Sequence, residues 1–142
     1  MSSFVLQINS KRTTLSGEQR IPRILVVDDM PGIRAFVSEA LRILGYEVRT
    51  AAGSNEALAL MASTPFKLVL CDLRLPGVRS LEFIDTLQRV DPGVAVIILT
   101  GVSLDDPDVR RLREGGIAVL HKPVQVAQLN TTIAEALGNR SA

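Results

Sequence analysis

The sequence is poor in the side chains that stack, chelate and cross-link. It has no tryptophan, one tyrosine, one histidine and one cysteine, and aromatic residues make up 4% of its 142 positions. The lone thiol, Cys71, cannot close an internal disulfide, and no apolar run approaches the roughly 20 residues that a membrane helix needs. No continuous apolar segment near the N-terminus precedes a small-residue cleavage pattern, so no secretory signal is read there. These absences predict a chain of the reducing cytoplasm with no membrane contact. A dominant charge is missing too, since the formal net charge is +1. Within the first 23 residues Lys11, Arg12, Arg20 and Arg23 face only Glu18, which leaves the remainder slightly acidic. A nucleic-acid surface would need a basic face interleaved with aromatics, and the expectation is therefore no direct nucleic-acid partner.

What the chain has is apolar punctuation. Residues 1–21 mix Ser, Thr, Gln and Gly without periodicity and read as a flexible N-terminal extension. Residues 22–140 read as one folded domain, long enough for a core that needs no staples. Five short runs carry it: ILVV (24–27), EVRT (47–50), KLVLC (67–71), AVIIL (95–99) and IAVL (117–120). Near-continuous Val, Ile and Leu mark parallel strands covered on both faces, while the more polar EVRT suits an edge.

Helical patterns separate the runs. Ile33, Phe36, Val37, Ala40, Leu41 and Leu44 recur at helical spacing between Pro31 and Gly45. Ser54 is placed to cap a second helix carrying Ala57, Leu58 and Met61, ending before Pro65. A third starts near Ser80 and stops at Asp91-Pro92-Gly93, and a fourth opens on the cap Asp106 with Pro107 behind it and ends at Gly115-Gly116. The last carries Val126, Leu129, Ile133 and Leu137, with Gly138 closing it. Strands alternating with helices imply right-handed crossovers, so the expected fold is α/β: a doubly wound (βα)5 parallel five-stranded sheet in a three-layer sandwich.

Ligands of such sheets bind beyond the carboxyl ends of the strands. Those ends carry Asp28-Asp29, Asp72, Thr100 and Lys122. Singly each is an ordinary loop or capping residue. Together they would place three carboxylates, a hydroxyl and an ammonium around one small volume, because neighbouring strands lie about 4.8 Å apart. Three carboxylates that close repel unless a cation neutralises them, and an oxygen-seeking divalent ion, Mg²⁺ or alternatively Mn²⁺, would do so. One carboxylate would remain as a nucleophile, with the lysine as a point charge for a transferring phosphoryl group.

The stretches VVDDMPGIR, CDLRLPG, LTG and HKPV, in this order and at this spacing, resemble the receiver domain of bacterial two-component response regulators, over about residues 22–140. The resemblance implies the flavodoxin-like strand order 2-1-3-4-5, a member of this family being the familiar example of that order. It implies that Asp72 takes a phosphoryl group from a sensor histidine kinase or a histidine phosphotransfer protein, as a signalling domain rather than an enzyme. Asp29 would be the main metal carboxylate, with Asp28 beside it and Arg74 giving its backbone carbonyl. Lys122 would pair with Asp72, its bond to Pro123 would be cis, and Thr100 would swing toward the phosphate. A downstream protein would dock through the fourth helix, fifth strand and fifth helix, with a homodimer as a further partner. Val119 departs from the family, which has Tyr or Phe three residues before this lysine as the second switch residue. Arg79 and Ser80 stand where Asp-Gly is common. Arg74 and Val102 flank the place where other members aim or exclude the hydrolytic water, and an apolar Val102 predicts a long-lived phosphoryl group.

Other residues have duller readings. His121 reads as a strand-end side chain, Cys71 as a small core hydrophobe, and Arg110, Arg111 and Arg113 as a solvated face or a docking surface. Three alternatives compete with the leading reading. A phosphorylation-independent receiver-like interaction domain would keep the fold without the chemistry. A haloacid-dehalogenase-like phosphatase would carry a second Asp two residues after the nucleophile, where Arg74 stands after Asp72. A flavodoxin-type nucleotide binder would need a phosphate-cradling loop in place of DDMPG.

Overall fold

The computed structural model describes residues 21–141, with residues 139–141 followed along the backbone only. The expected extension therefore lies, apart from Ile21, outside the described residues. Five strands and five helices alternate: β1 Arg23–Val27, α1 Pro31–Ile43, β2 Glu47–Ala51, α2 Ser54–Ser63, β3 Leu68–Cys71, α3 Ser80–Val90, β4 Ala95–Thr100, α4 Pro107–Glu114, β5 Ala118–His121 and α5 Val126–Ser141. All four strand pairings are parallel, in the order β2-β1-β3-β4-β5. That is the doubly wound order the resemblance implied. No helix among the described residues is long and apolar enough to cross a membrane.

Period two along the strands divides the core in half. Leu25, Val27, Val69, Cys71, Val96 and Ile98 face one side, where Ala57 of α2, Phe83 and Leu87 of α3 and Val109 and Leu112 of α4 cover them. Ile24, Val26, Leu68, Leu70, Ile97 and Leu99 face the other, against Val37 and Leu41 of α1 and Leu129 and Ile133 of α5. Burying each such side chain is worth about 2 kcal/mol relative to exposure. Both faces are closed, which is why β1, β3 and β4 had to be continuously apolar, while the edge strand β2 alternates.

Three local expectations are corrected. Ser54 is the first residue of α2 and Gly53 holds the cap position. The Glu56 carboxylate reaches back past the cap to accept from the Ala52 N–H at 2.8 Å, which ties the incoming chain to the first turn, and no side chain caps the helix itself. Gly138 does not end α5, which continues to Ser141. A glycine inside a helix costs about 1 kcal/mol but still donates its N–H, so it weakens a helix without stopping it. Phe36 is half exposed rather than core-facing. At about 100° per residue it falls at the edge of the stripe centred on Ile33, Val37, Ala40, Leu41 and Leu44. The helix ends at Gly45 and Gly116 do have positive φ, 102° and 88°, where a side chain would be strained.

Candidate functional site

Register places the polar residues. Val27 pairs with Cys71 across β1 and β3, so the next residues, Asp28 and Asp72, leave the sheet side by side. The Asp72 N–H donates to the Val27 carbonyl at 2.9 Å and the Asp28 N–H to the Ala51 carbonyl at 3.1 Å, fixing both backbones. Thr100 is the last residue of β4 and pairs with His121, and the Lys122 N–H donates to the Thr100 carbonyl at 2.7 Å. Lys122 thus emerges beside the acids, and its peptide bond to Pro123 is cis.

Asp28, Asp29 and Asp72 each present a carboxylate oxygen within 4.8 Å of the others. Asp28 is 2% exposed and Asp72 9%, while Asp29 is open to solvent. The Lys122 ammonium donates to Asp28 Oδ2 at 2.9 Å and to Asp72 Oδ2 at 3.3 Å. It therefore pairs with Asp72 and also, at the shorter distance, with Asp28. The remaining acceptors are used locally, Asp28 Oδ1 by the Met30 N–H at 2.9 Å and Asp72 Oδ1 by the Arg74 N–H at 3.3 Å.

Burial pushes the Asp72 carboxyl above the usual carboxylate range, against the pull of Lys122 and the Arg74 N–H, and the neighbouring Asp28 charge adds to the rise. Burial alone would lower Lys122, but its bond to Asp28 and the charges of Asp72 and Asp28 outweigh that and hold it above the usual lysine range. Cys71 is pushed up by burial and then by the Asp72 and Asp28 charges, so its thiol stays protonated, and it donates to the Asp72 carbonyl. It behaves as a core side chain. His121, by contrast, is exposed.

Three carboxylates against one ammonium leave the cluster with an excess of negative charge. The donors are all hard oxygens, with neither thiolate nor imidazole among them, a set that suits Mg²⁺ over softer metals. Thr100 is fully buried and its hydroxyl accepts from the Val102 N–H at 3.1 Å. Val119 is packed in the apolar half of the core that contains Val109 and Leu112.

One contact was not foreseen. Beyond the carbonyl that the resemblance assigns to the metal, the side chain of Arg74 reaches across to α4, with Nη2 2.8 Å from Asp106 Oδ2 and Nη1 2.9 Å from Asp108 Oδ2. Its neighbours Leu73 and Leu75 are buried, which turns Arg74 outward. Asp106 also caps α4, accepting from the Asp108 N–H at 2.8 Å. Burial alone would raise Asp106, but the Asp108 N–H and the Arg74 guanidinium outweigh that and hold it below the usual range. The partners lie 32 and 34 positions apart, so only the adjacency of β3 and β4 could have signalled the contact.

Fold and site together define a small α/β domain with an acidic pocket at a topological switch point. A family model for the response regulator receiver domain matches residues 24–134. A response regulator receiver protein of Anaeromyxobacter sp. (strain Fw109-5) is 40% identical over 107 residues, covering 75% of this chain and 45% of that protein. The transcriptional regulatory protein ZraR of Klebsiella oxytoca is 34% identical over 125 residues, covering 88% of this chain and 28% of that protein. Among solved structures, a CheY-like receiver domain from Methanospirillum hungatei JF-1 superposes with a TM-score of 0.78 at 33% identity, covering 85% of this chain and 97% of that one. The response regulator TrrA of Thermotoga maritima, solved in complex with Mg²⁺-BeF, gives 0.72 at 31% identity, covering 82% and 99%. The chain spans less than half the length of these two curated relatives and nearly all of the solved domains. This chain belongs to the response regulator receiver family of two-component systems.

Proposed function

We propose that Asp72 accepts a phosphoryl group from the phosphohistidine of a sensor histidine kinase or histidine phosphotransfer protein, and that the charge gained switches the binding of a downstream protein. The observation that carries this reading is the ammonium of Lys122 shared between Asp28 and Asp72 within a cluster of three carboxylates. An Asp72 carboxylate oxygen attacks phosphorus, the O–P bond forms as the N–P bond of the donor breaks, and the departing imidazole is left to take up a proton from water. Asp28, Asp29, Asp72 and the Arg74 carbonyl would hold Mg²⁺, which when bound supplies positive charge for the phosphoryl oxygens. Lys122 supplies a second positive charge by shifting from the carboxylates to the phosphoryl oxygens, and the Thr100 hydroxyl exchanges the Val102 N–H for the same group. The chain on this reading catalyses only its own phosphorylation and dephosphorylation, in the cytoplasm. Its downstream target would dock on α4, β5 and α5.

Incubation with Mg²⁺ and acetyl phosphate, followed by intact mass, tests the reading. One phosphoryl adduct is expected, labile at alkaline pH and absent both with a chelator and in Asp72→Asn. No adduct, together with no rise in melting temperature on adding beryllium fluoride, would replace this reading with a phosphorylation-independent interaction domain.

A further inference from the structure

Among the described residues, the side chain whose ion pairs join the loop after Asp72 to α4 is that of Arg74. The buried Val119 carries no polar group that could make such a link, and the Thr100 hydroxyl bonds to the Val102 N–H, within its own loop. We propose that Arg74 is a latch: its guanidinium holds the start of α4 through Asp106 and Asp108 while Asp72 is unmodified, and transfers to the phosphoryl oxygens once Asp72 carries them, releasing α4. The inference rests on Asp72 being the phosphoacceptor.

Four features support the transfer. The backbone of Arg74 is tied to Asp72 itself, its N–H lying 3.3 Å from Oδ1, so the foot of the side chain stands at the reacting group. Its three-methylene stem and planar fork of donors suit two carboxylates and phosphoryl oxygens equally well. Phosphorylation replaces one carboxylate charge by a group carrying nearly two negative charges and three strong acceptors. Nothing traps the guanidinium where it is, since it is 45% exposed and its partners 18% and 37%, and water can take over both carboxylates when it leaves. Asp106 sits at the helix cap, so loss of its ion pair acts on the first turn of α4, the surface the proposed function gives to the downstream partner.

A latch and a brace differ in sign. If Arg74 must leave the aspartates to reach the phosphoryl group, breaking the contact from the two sides has opposite effects on affinity for a phosphoryl mimic, by the reciprocity of coupled equilibria. Beryllium fluoride with Mg²⁺ is titrated into the full chain, into Arg74→Gln and into the double variant Asp106→Asn with Asp108→Asn, where asparagine preserves the cap. Arg74→Gln should bind the mimic at least ~5-fold more weakly and the double variant at least ~5-fold more tightly than the parent. Amide exchange in residues 103–110 of the parent should rise when the mimic binds, and should already be high without it in both variants. Affinities that move in the same direction or stay unchanged, or exchange at 103–110 that ignores the mimic, would overturn the latch and leave the phosphoacceptor reading standing. A parent that binds no beryllium fluoride would overturn both.

Discussion

Two cations at the carboxyl end of the sheet each sit between two carboxylates, at nearly equal distances and in different surroundings. Lys122 lies 2.9 and 3.3 Å from Asp28 and Asp72, its side chain 14% exposed and theirs 3% and 9%. Arg74 lies 2.8 and 2.9 Å from Asp106 and Asp108, its side chain 45% exposed and theirs 18% and 37%. Bond length would rank the arginine triad first. Burial reverses the ranking, because water screens one set of charges and is largely excluded from the other. The buried triad holds the unmodified pocket together and is costly to leave without its cation, while the exposed one costs little to break.

The comparison is tested most severely by Lys122→Met. It leaves two buried carboxylates facing each other without their cation, and removing one member of a buried charge cluster costs about 3 kcal/mol. Urea unfolding at pH 7 with a chelator present should show a loss of that size, and restoring the balance with Asp72→Asn in the same chain should recover part of it. A loss below about 1 kcal/mol would mean that water reaches the pocket freely and that the two triads are alike after all.

Asp72→Asn should have a smaller effect of opposite sign. Burial holds the Asp72 carboxyl above its usual range, so the folded chain binds that proton more tightly than the unfolded chain does. The contribution is complete below the ordinary aspartate value near 3.9 and is lost as the pH rises through the folded value. Asparagine removes one of two like charges and leaves Lys122 balanced by Asp28, so without metal the variant should be the more stable by roughly 1 kcal/mol at pH 7. The two chains should converge toward pH 4. Unfolding midpoints between pH 4 and 8 measure this, and a difference that narrows with rising pH would contradict the sign.

How far the sequence could be read follows the same division between buried and exposed. The strands were legible because a sheet closed on both faces admits only apolar residues, and ILVV or AVIIL can hardly be anything else. Asp28, Asp72, Thr100 and Lys122 were legible because a strand end is a position in the sequence as well as in space. A helical stripe has edges that periodicity cannot locate, which leaves Phe36 half exposed, and a helix start is blurred by a residue, which gives the cap position to Gly53 and not to Ser54. The Arg74 contact was missed altogether. It depends on which loops lie side by side, and Arg74, Asp106 and Asp108 each have a sufficient local explanation as a loop residue, a cap and a first-turn acid.

Arg74→Gln carries the smallest expected change in stability and sharpens the comparison furthest. It removes two ion pairs at once, both below 3 Å. Exposed pairs return most of their Coulomb attraction to solvent, so the loss should stay within about 1 kcal/mol. The cap is unaffected, because Asp106 accepts from the Asp108 N–H through Oδ1 while Arg74 binds Oδ2. Urea unfolding beside Lys122→Met, in low salt and again in high salt, gives the ratio directly. Arg74→Gln should lose what little it costs as salt screens the exposed charges, and Lys122→Met should keep most of its cost. A cost for Arg74→Gln that rivals Lys122→Met and survives high salt would make the arginine triad a fixed brace, and α4 would then be held whether or not Asp72 is modified.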